Sequence, residues 1–409
     1  MATHIANSYT PPAELARVQR LGFLIGIALL VVSVIAALLV PIPGLRRQFF
    51  HSYLLAYVFW IGIALGSLAL LMVQHLAGGA WGVVIRRVLE SSTRTLPLMG
   101  ILFLPILFGM HDLYHWSDSE AVRETEMLRL KSAYLNIPFF IIRTVIYFAI
   151  WGTLVYFLNK WSAEQDETAD IRFAKRMQTL SGPGLVLFAL TVTFAAVDWV
   201  MSLDPEWYST IFGILFMGGW GLSALSFTIA VAVLLANREP LRGVLLARHF
   251  HDLGKLLLAF VMLWAYFNLS QFLIIWWANL PEEVPWYLRR VTGGWQVIGV
   301  SLMIFHFALP FLLLLRRDLK RNPRLLSIVA VLVIVMRFID SLWLIVPELY
   351  KNPQRPYEGH FGLSLFDLIV PLGVGALWLA WFAWQLSKRP LLPINDPLLD
   401  KALHGGGGH

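Results

Sequence analysis

The sequence predicts an all-α integral membrane protein of ten transmembrane helices, and three observations predict it. The 409-residue chain is 58% hydrophobic and only 14% charged, against about 25% charged in soluble domains. It lacks the polar surface needed to face water on all sides. Apolar runs of roughly 20 residues, the length that crosses a hydrocarbon core of about 30 Å, recur along nearly the whole chain. Between those runs, Lys and Arg gather in alternate loops, as the positive-inside rule expects of spanning helices.

The runs place helices 1 to 10 at 21–41, 52–73, 95–110, 135–158, 184–201, 209–236, 256–277, 292–315, 325–346 and 362–386. Helix 1 follows Arg17 and Arg20, as a signal peptide would. It has no small-residue cleavage site before Pro41, so it reads as retained. Helix 2 is uncharged, and helices 3 and 5 are the short ones. Helix 4 carries Arg143, and helix 5 ends on Asp198. Helix 6 contains Gly218-Gly219-Trp220-Gly221, small residues that permit close packing within a membrane. Helix 7 is uncharged. Helix 8 holds His306, the only histidine deep within a span; helix 9 holds Arg337 and Asp340, and helix 10 Asp367.

An even number of spans puts both termini on one side. That side carries 21 of the 32 Lys and Arg residues and the opposite loops 9, with Arg143 and Arg337 inside helices. The bias predicts cytoplasmic N- and C-termini. It also accounts for the net charge of +7 without a nucleic-acid partner. The tail ending in Gly405 to Gly408 and His409 reads as disordered.

The chain has no cysteine, which excludes disulfides, thiolate metal sites, Fe–S ligation and C-x-x-C-H haem attachment. Redox metal chemistry would have to use histidines or sit in a partner subunit. His306 has no histidine at its own depth to pair with across a haem, and no metal site is predicted. No run resembles a P-loop, a zinc motif or a nucleophile elbow.

Two stretches repeat. Gly82-Val83-Val84-Ile85-Arg86-Arg87 with Arg94 aligns with Gly243-Val244-Leu245-Leu246-Ala247-Arg248 with Lys255, at an offset of 161. Asp198 with Pro205-Glu206-Trp207-Tyr208 aligns with Asp340 and Pro347-Glu348-Leu349-Tyr350, at an offset of 142. Helices 2–5 and 6–9 therefore read as two copies of one four-helix bundle, in parallel orientation because four helices separate equivalent elements. Helices 1 and 10 are peripheral additions. The chain divides into an N-terminal segment 1–20, helix 1 in 21–48, bundles at 49–208 and 209–350, helix 10 in 351–387, and a tail 388–409.

A charge at the centre of a spanning helix costs about 2.5–3.5 kcal/mol on insertion scales, so each needs an account. Asp198, Asp340 and Asp367 fall in the outer third of their helices, with Arg143 about 12 Å below the outer end of helix 4. Arg337 and Asp340, three apart, can neutralise each other on one face. Arg143 has no local partner and points to an acid on a neighbouring helix, Asp198 first. At the outer ends stand His51, then His111, Asp112 and His115. Imidazoles beside carboxylates suit quinol oxidation, which needs acceptors for two protons; for any single histidine here a wetted rim of interfacial residues is the favoured account.

The ten-helix layout and the string Asp198-Trp199-Val200-Met201-Ser202-Leu203-Asp204-Pro205-Glu206-Trp207-Tyr208-Ser209-Thr210 resemble the NrfD/PsrC-like membrane subunits of bacterial alternative complex III. That complex has two such subunits, ActC and ActF, and the modest length and short tails are more similar to ActF. The resemblance implies a multi-pass subunit of a quinol:electron-acceptor oxidoreductase in the bacterial inner membrane. Its Fe–S and c-type haem proteins, and an ActC-like membrane subunit, would be separate partners beside the lipids. Haems and Fe–S clusters would lie only in those partners, with quinone of the menaquinone type as the small molecule. An ActF-like subunit would supply scaffold and a proton pathway, here Asp198, Asp340, Asp367 and His306 with Arg143 and Arg337 as charge partners. A quinol site on this chain itself would use His51, His111, Asp112 and His115. A stand-alone secondary transporter, with Arg143 and Asp198 at a substrate site, is the reading from another class.

Overall fold

The computed structural model describes residues 11–236, 238, 241–242, 244–350 and 358–404. Ten helices among them are long and apolar enough to cross a membrane: helix 1 Glu14–Leu39, 2 Leu45–Ala77, 3 Arg86–Phe108, 4 Ile137–Thr168, 5 Ile171–Leu203, 6 Phe212–Ala236, 7 Ala247–Ala278, 8 Trp295–Leu315, 9 Pro323–Glu348 and 10 Phe366–Leu386. The fold is an all-α integral membrane protein.

Several helices outrun the apolar runs that announce them. Helix 5, read as short, begins at Ile171 and takes in Arg172, Lys175 and Arg176. Asp170 caps it by accepting the Arg172 N–H, so the helix starts on a capping residue beyond the apolar run. Helix 3 is long but broken into Arg86–Thr93, Leu96–Leu102 and Leu104–Phe108. Pro97 and Pro105 stand at the starts of the second and third pieces, where a missing N–H is tolerated.

Helices 2 and 6 form the centre and face each other. Gly62 and Gly66, one turn apart, make the contact possible: a Cβ on Gly66 would lie 2.1 Å from the Trp220 carbonyl oxygen. Such small-x-x-x-small spacing lets backbones approach where lipid supplies no hydrophobic drive. Helix 2 packs on helices 3 and 5, and helix 4 on helix 5; likewise helix 6 packs on helices 7 and 9, and helix 8 on helix 9. The neighbour relations of helices 2–5 thus recur in helices 6–9. Gly243 of the repeated stretch lies outside the described residues.

Helix 1 rides on helix 10, with Gly22 and Gly26 against Ala376, Ala380 and Gly373. Helix 10 in turn lies on helix 2 and sends the buried Trp378 between Trp60 and Phe227.

The tail departs from its expected disorder up to residue 404; residues 405–409 lie outside the described set. A short helix, Leu399–His404, folds under helix 7, where Arg248 donates to the carbonyls of Ala402 and Leu403 at 2.9 and 2.7 Å. Asp396 accepts from Arg86 at 2.5 Å, and Asn395 donates to the Asp166 carbonyl. Polar composition gave no sign of this, because Asn395 and Asp396 find partners on the bundle rather than water.

Candidate functional site

The first bundle presents Arg143 and Tyr147 from helix 4, one turn apart and hence on one face, to Asp198 on helix 5. Arg143 grips the carboxylate as a fork, Nε to Oδ2 and Nη2 to Oδ1, both at 2.9 Å. The Tyr147 hydroxyl donates to Oδ2 at 2.7 Å. The remaining guanidinium nitrogen, Nη1, donates to the Tyr134 carbonyl at 2.8 Å, while the guanidinium carbon lies 3.8 Å from the centroid of the Tyr134 ring. Asp198 has no exposed surface. A bidentate, charge-assisted pair is the geometry that repays desolvation.

Aromatic rings close this site. Trp199 packs edge-on against Tyr57 and Trp151 and lies over Phe103 and Phe148. Trp151 donates to Thr191 at 2.8 Å, and Tyr114 donates to the Trp199 carbonyl at 2.9 Å.

The second bundle pairs its charges differently. Arg337 and Asp340 lie on the same helix and are ion-paired. Trp264 from helix 7 donates to Asp340 Oδ2 at 3.2 Å, and Arg337 Nε donates to Ser223 Oγ at 3.4 Å. Gly219 makes room for the guanidinium: a Cβ there would lie 2.3 Å from Arg337 Nη2. His306 stacks on Trp264 with centroids 4.0 Å apart. It sits in a π-helical stretch, Leu302–Ala308. Pro310 follows two residues later and cannot donate to the His306 carbonyl, which explains the local widening. Among the described residues, both His306 ring nitrogens and Asp340 Oδ1 are buried without hydrogen-bond partners.

The other candidates are distributed. Asp367 has no cationic partner among the described residues; Ser52 Oγ donates to it at 2.6 Å, the Ser364 N–H at 2.8 Å and Gln48 at 3.3 Å. His51 is buried, with Nε2 3.1 Å from the Asp112 carbonyl oxygen. The Asp112 carboxylate instead pairs with Arg46 at 3.0 Å. His111 and His115 are exposed, and His111 Nδ1 lies 3.2 Å from Ser117 Oγ. Of the four rim residues, the structure joins only His51 and Asp112.

Two buried charge networks escaped the sequence reading. On the face that carries the termini, Glu90 accepts from Arg86 at 2.9 Å, Arg87 at 2.5 Å and Ser162 at 2.6 Å, and Arg87 also pairs with Asp166. The spacing Arg86, Arg87, Glu90 was a readable i+3 and i+4 signal. On the opposite face Arg289 pairs with Asp204 and Glu348, and Arg290 with Glu348 at 2.7 Å. This network joins the loop after helix 5 to the end of helix 9. Arg290 lies 3.4 Å from the centroid of the Trp286 ring, and burial pushes its guanidinium down to about 10, with Glu348 opposing.

Fold and site together define a ten-helix membrane protein with an Arg–Asp pair buried in each bundle. Among the described residues, no group of three or more His, Asp or Glu is placed to hold a metal ion. No family model matches the chain, and no curated protein matches it.

Proposed function

We propose that this chain is an ActF-like membrane subunit of a bacterial quinol:electron-acceptor oxidoreductase of the alternative complex III type. Its part is scaffold and proton handling in the inner membrane, with both termini cytoplasmic. Fe–S proteins, c-type haem proteins and an ActC-like subunit are its partners, and the electrons travel in them. One observation carries the reading: Asp198, which opens the string resembling that family, is a fully buried carboxylate held by Arg143 and Tyr147.

Oxidation of a quinol releases two protons, and groups near the outer face must take them. Asp198 is a carboxylate acceptor in that half of the membrane by the charge bias of the loops. The Tyr147 hydroxyl, donor to Asp198 and acceptor on rotation, gives it a neutral neighbour for proton exchange. In the second bundle Asp340 and His306 offer the same kinds of group.

The test is purification of the tagged chain from its host in mild detergent. Haem- and Fe–S-containing partners with quinol-dependent turnover are expected. Asp198→Asn then lowers turnover on the order of a hundredfold or more while the complex stays assembled. A colourless chain purified alone overturns the complex in favour of a transporter; unchanged turnover and proton release in Asp198→Asn overturns the proton role.

A further inference from the structure

A cavity of about 960 Å³ opens sideways between helices 3 and 4 and the end of helix 10. Its wall is apolar over most of its length, with Phe103, Leu104, Leu107, Val145 and Phe148 along it. From Arg94 to Leu107 it follows helix 3 for roughly 20 Å at 1.5 Å per residue, somewhat more than the ~15 Å of one hydrocarbon leaflet.

Glycine keeps it open. A Cβ on Gly152 would meet nothing within 4 Å, and one on Gly100 would reach only the Phe148 ring at 3.8 Å. Both face the groove rather than a packed neighbour. Larger side chains here would fill the groove without disturbing a helix contact.

One end of the groove is basic. Arg94, Lys160, Lys388 and Arg389 line it, all on the face that carries the termini. Acids among the described residues do not balance them. Glu90 lies 3.7 Å from Arg389 but already serves Arg86 and Arg87, and Lys160 is paired with Glu164 at 3.9 Å. Lys388 rests on the Trp384 ring at 3.2 Å. Burial, and then the Arg94 charge, lower the Lys388 ammonium from its ordinary value, so an added anion would relieve it.

We infer that this groove binds an anionic phospholipid of the leaflet on the terminal face, its phosphate against Arg94 and Lys388 and an acyl chain along Phe103, Val145 and Phe148. A quinol fits the apolar part but carries no charge for the basic end. The inference rests on the chain spanning a membrane and is independent of the proposed complex.

The test is native mass spectrometry and thermal melting of the detergent-purified protein, with its native partners where it has them. The probes are dioleoyl-phosphatidylglycerol, the phosphatidylcholine of the same chains, and inorganic phosphate. One retained phosphatidylglycerol per chain is expected, bound about tenfold more tightly than phosphatidylcholine, with no response to phosphate. The Arg94→Gln/Lys388→Gln variant should lose the headgroup preference but keep weak binding of both lipids. Gly152→Phe, which fills the groove and leaves the charges, should lose both. Equal binding of the two lipids by the wild type, full retention in Gly152→Phe, an equal effect of phosphate alone, or displacement of the lipid by a short-chain quinone would each overturn it.

Discussion

The two bundles hold the same pair of charges in opposite ways. In the first, Arg143 reaches Asp198 from another helix, and fork, hydroxyl and aromatic wall leave the carboxylate fully engaged. In the second, Arg337 and Asp340 share a helix, and among the described residues one carboxylate oxygen and both nitrogens of His306 stay without hydrogen-bond partners. A pair across two helices fixes their register. A pair within one helix fixes nothing between helices, and Gly219, Ser223 and Trp264 must do the holding. Unsatisfied buried polar groups are rare in native proteins and mark places where water enters or protons move. The carboxylate of the first site is held as by a lock and that of the second leaves a gap, although the two aspartates occupy equivalent positions in the repeat.

The largest effect should come from opening the lock. Arg143→Leu leaves the Asp198 charge buried without its cation, and breaking a buried pair this way costs about 3–5 kcal/mol. Thermal melting in detergent should show a large loss of stability. Adding Asp198→Leu to that variant should recover part of it, because the stranded charge is gone. If the double variant is as unstable as the two single losses added together, the pair is not coupled and the contrast between bundles fails.

How much of this contrast was legible in the sequence depends on the chemistry of each part. The ten spans were readable because hydrocarbon imposes a length and a polarity on every helix. Arg143 with Asp198 was readable because an isolated arginine at membrane depth requires an acid. The proximity of Arg337 to Asp340 was readable from spacing alone. Tyr147 and Trp264 were not, since a tyrosine or tryptophan in a span is ordinarily apolar packing. Nor were the networks of Arg86, Arg87 and Glu90 or of Arg289 and Glu348: their residues read as loop charges facing water. The rim histidines suggested a common site from their types, but His111 and His115 are exposed while His51 is buried, a difference that side-chain direction decides and composition does not.

Gly219→Ala tests how firmly the second pair is held, with a smaller expected effect. Its Cβ would enter the Arg337 guanidinium, and overpacking of this kind costs about 1–3 kcal/mol. Melting should fall by less than in Arg143→Leu, and Gly219→Ala should add little once Arg337→Leu has removed the obstacle. An unchanged melting temperature for Gly219→Ala alone would mean that Arg337 swings aside freely, making the second site looser than a single paired geometry allows.

The smallest change in stability, and the sharpest test of the gap, is expected from His306→Phe. The phenyl ring keeps the stacking on Trp264 and removes two buried nitrogens that have no hydrogen-bond partner among the described residues. Leaving such a group unsatisfied costs about 1–3 kcal/mol, so stability should hold or rise slightly, whereas a fully engaged histidine would be missed. A loss as large as that in Arg143→Leu would show that the ring nitrogens hold partners, ordered water included, and that the second bundle is locked like the first. Unchanged stability with reduced quinol-dependent turnover would instead assign His306 to proton transfer, because a ring that contributes nothing to the fold would still be required by the reaction.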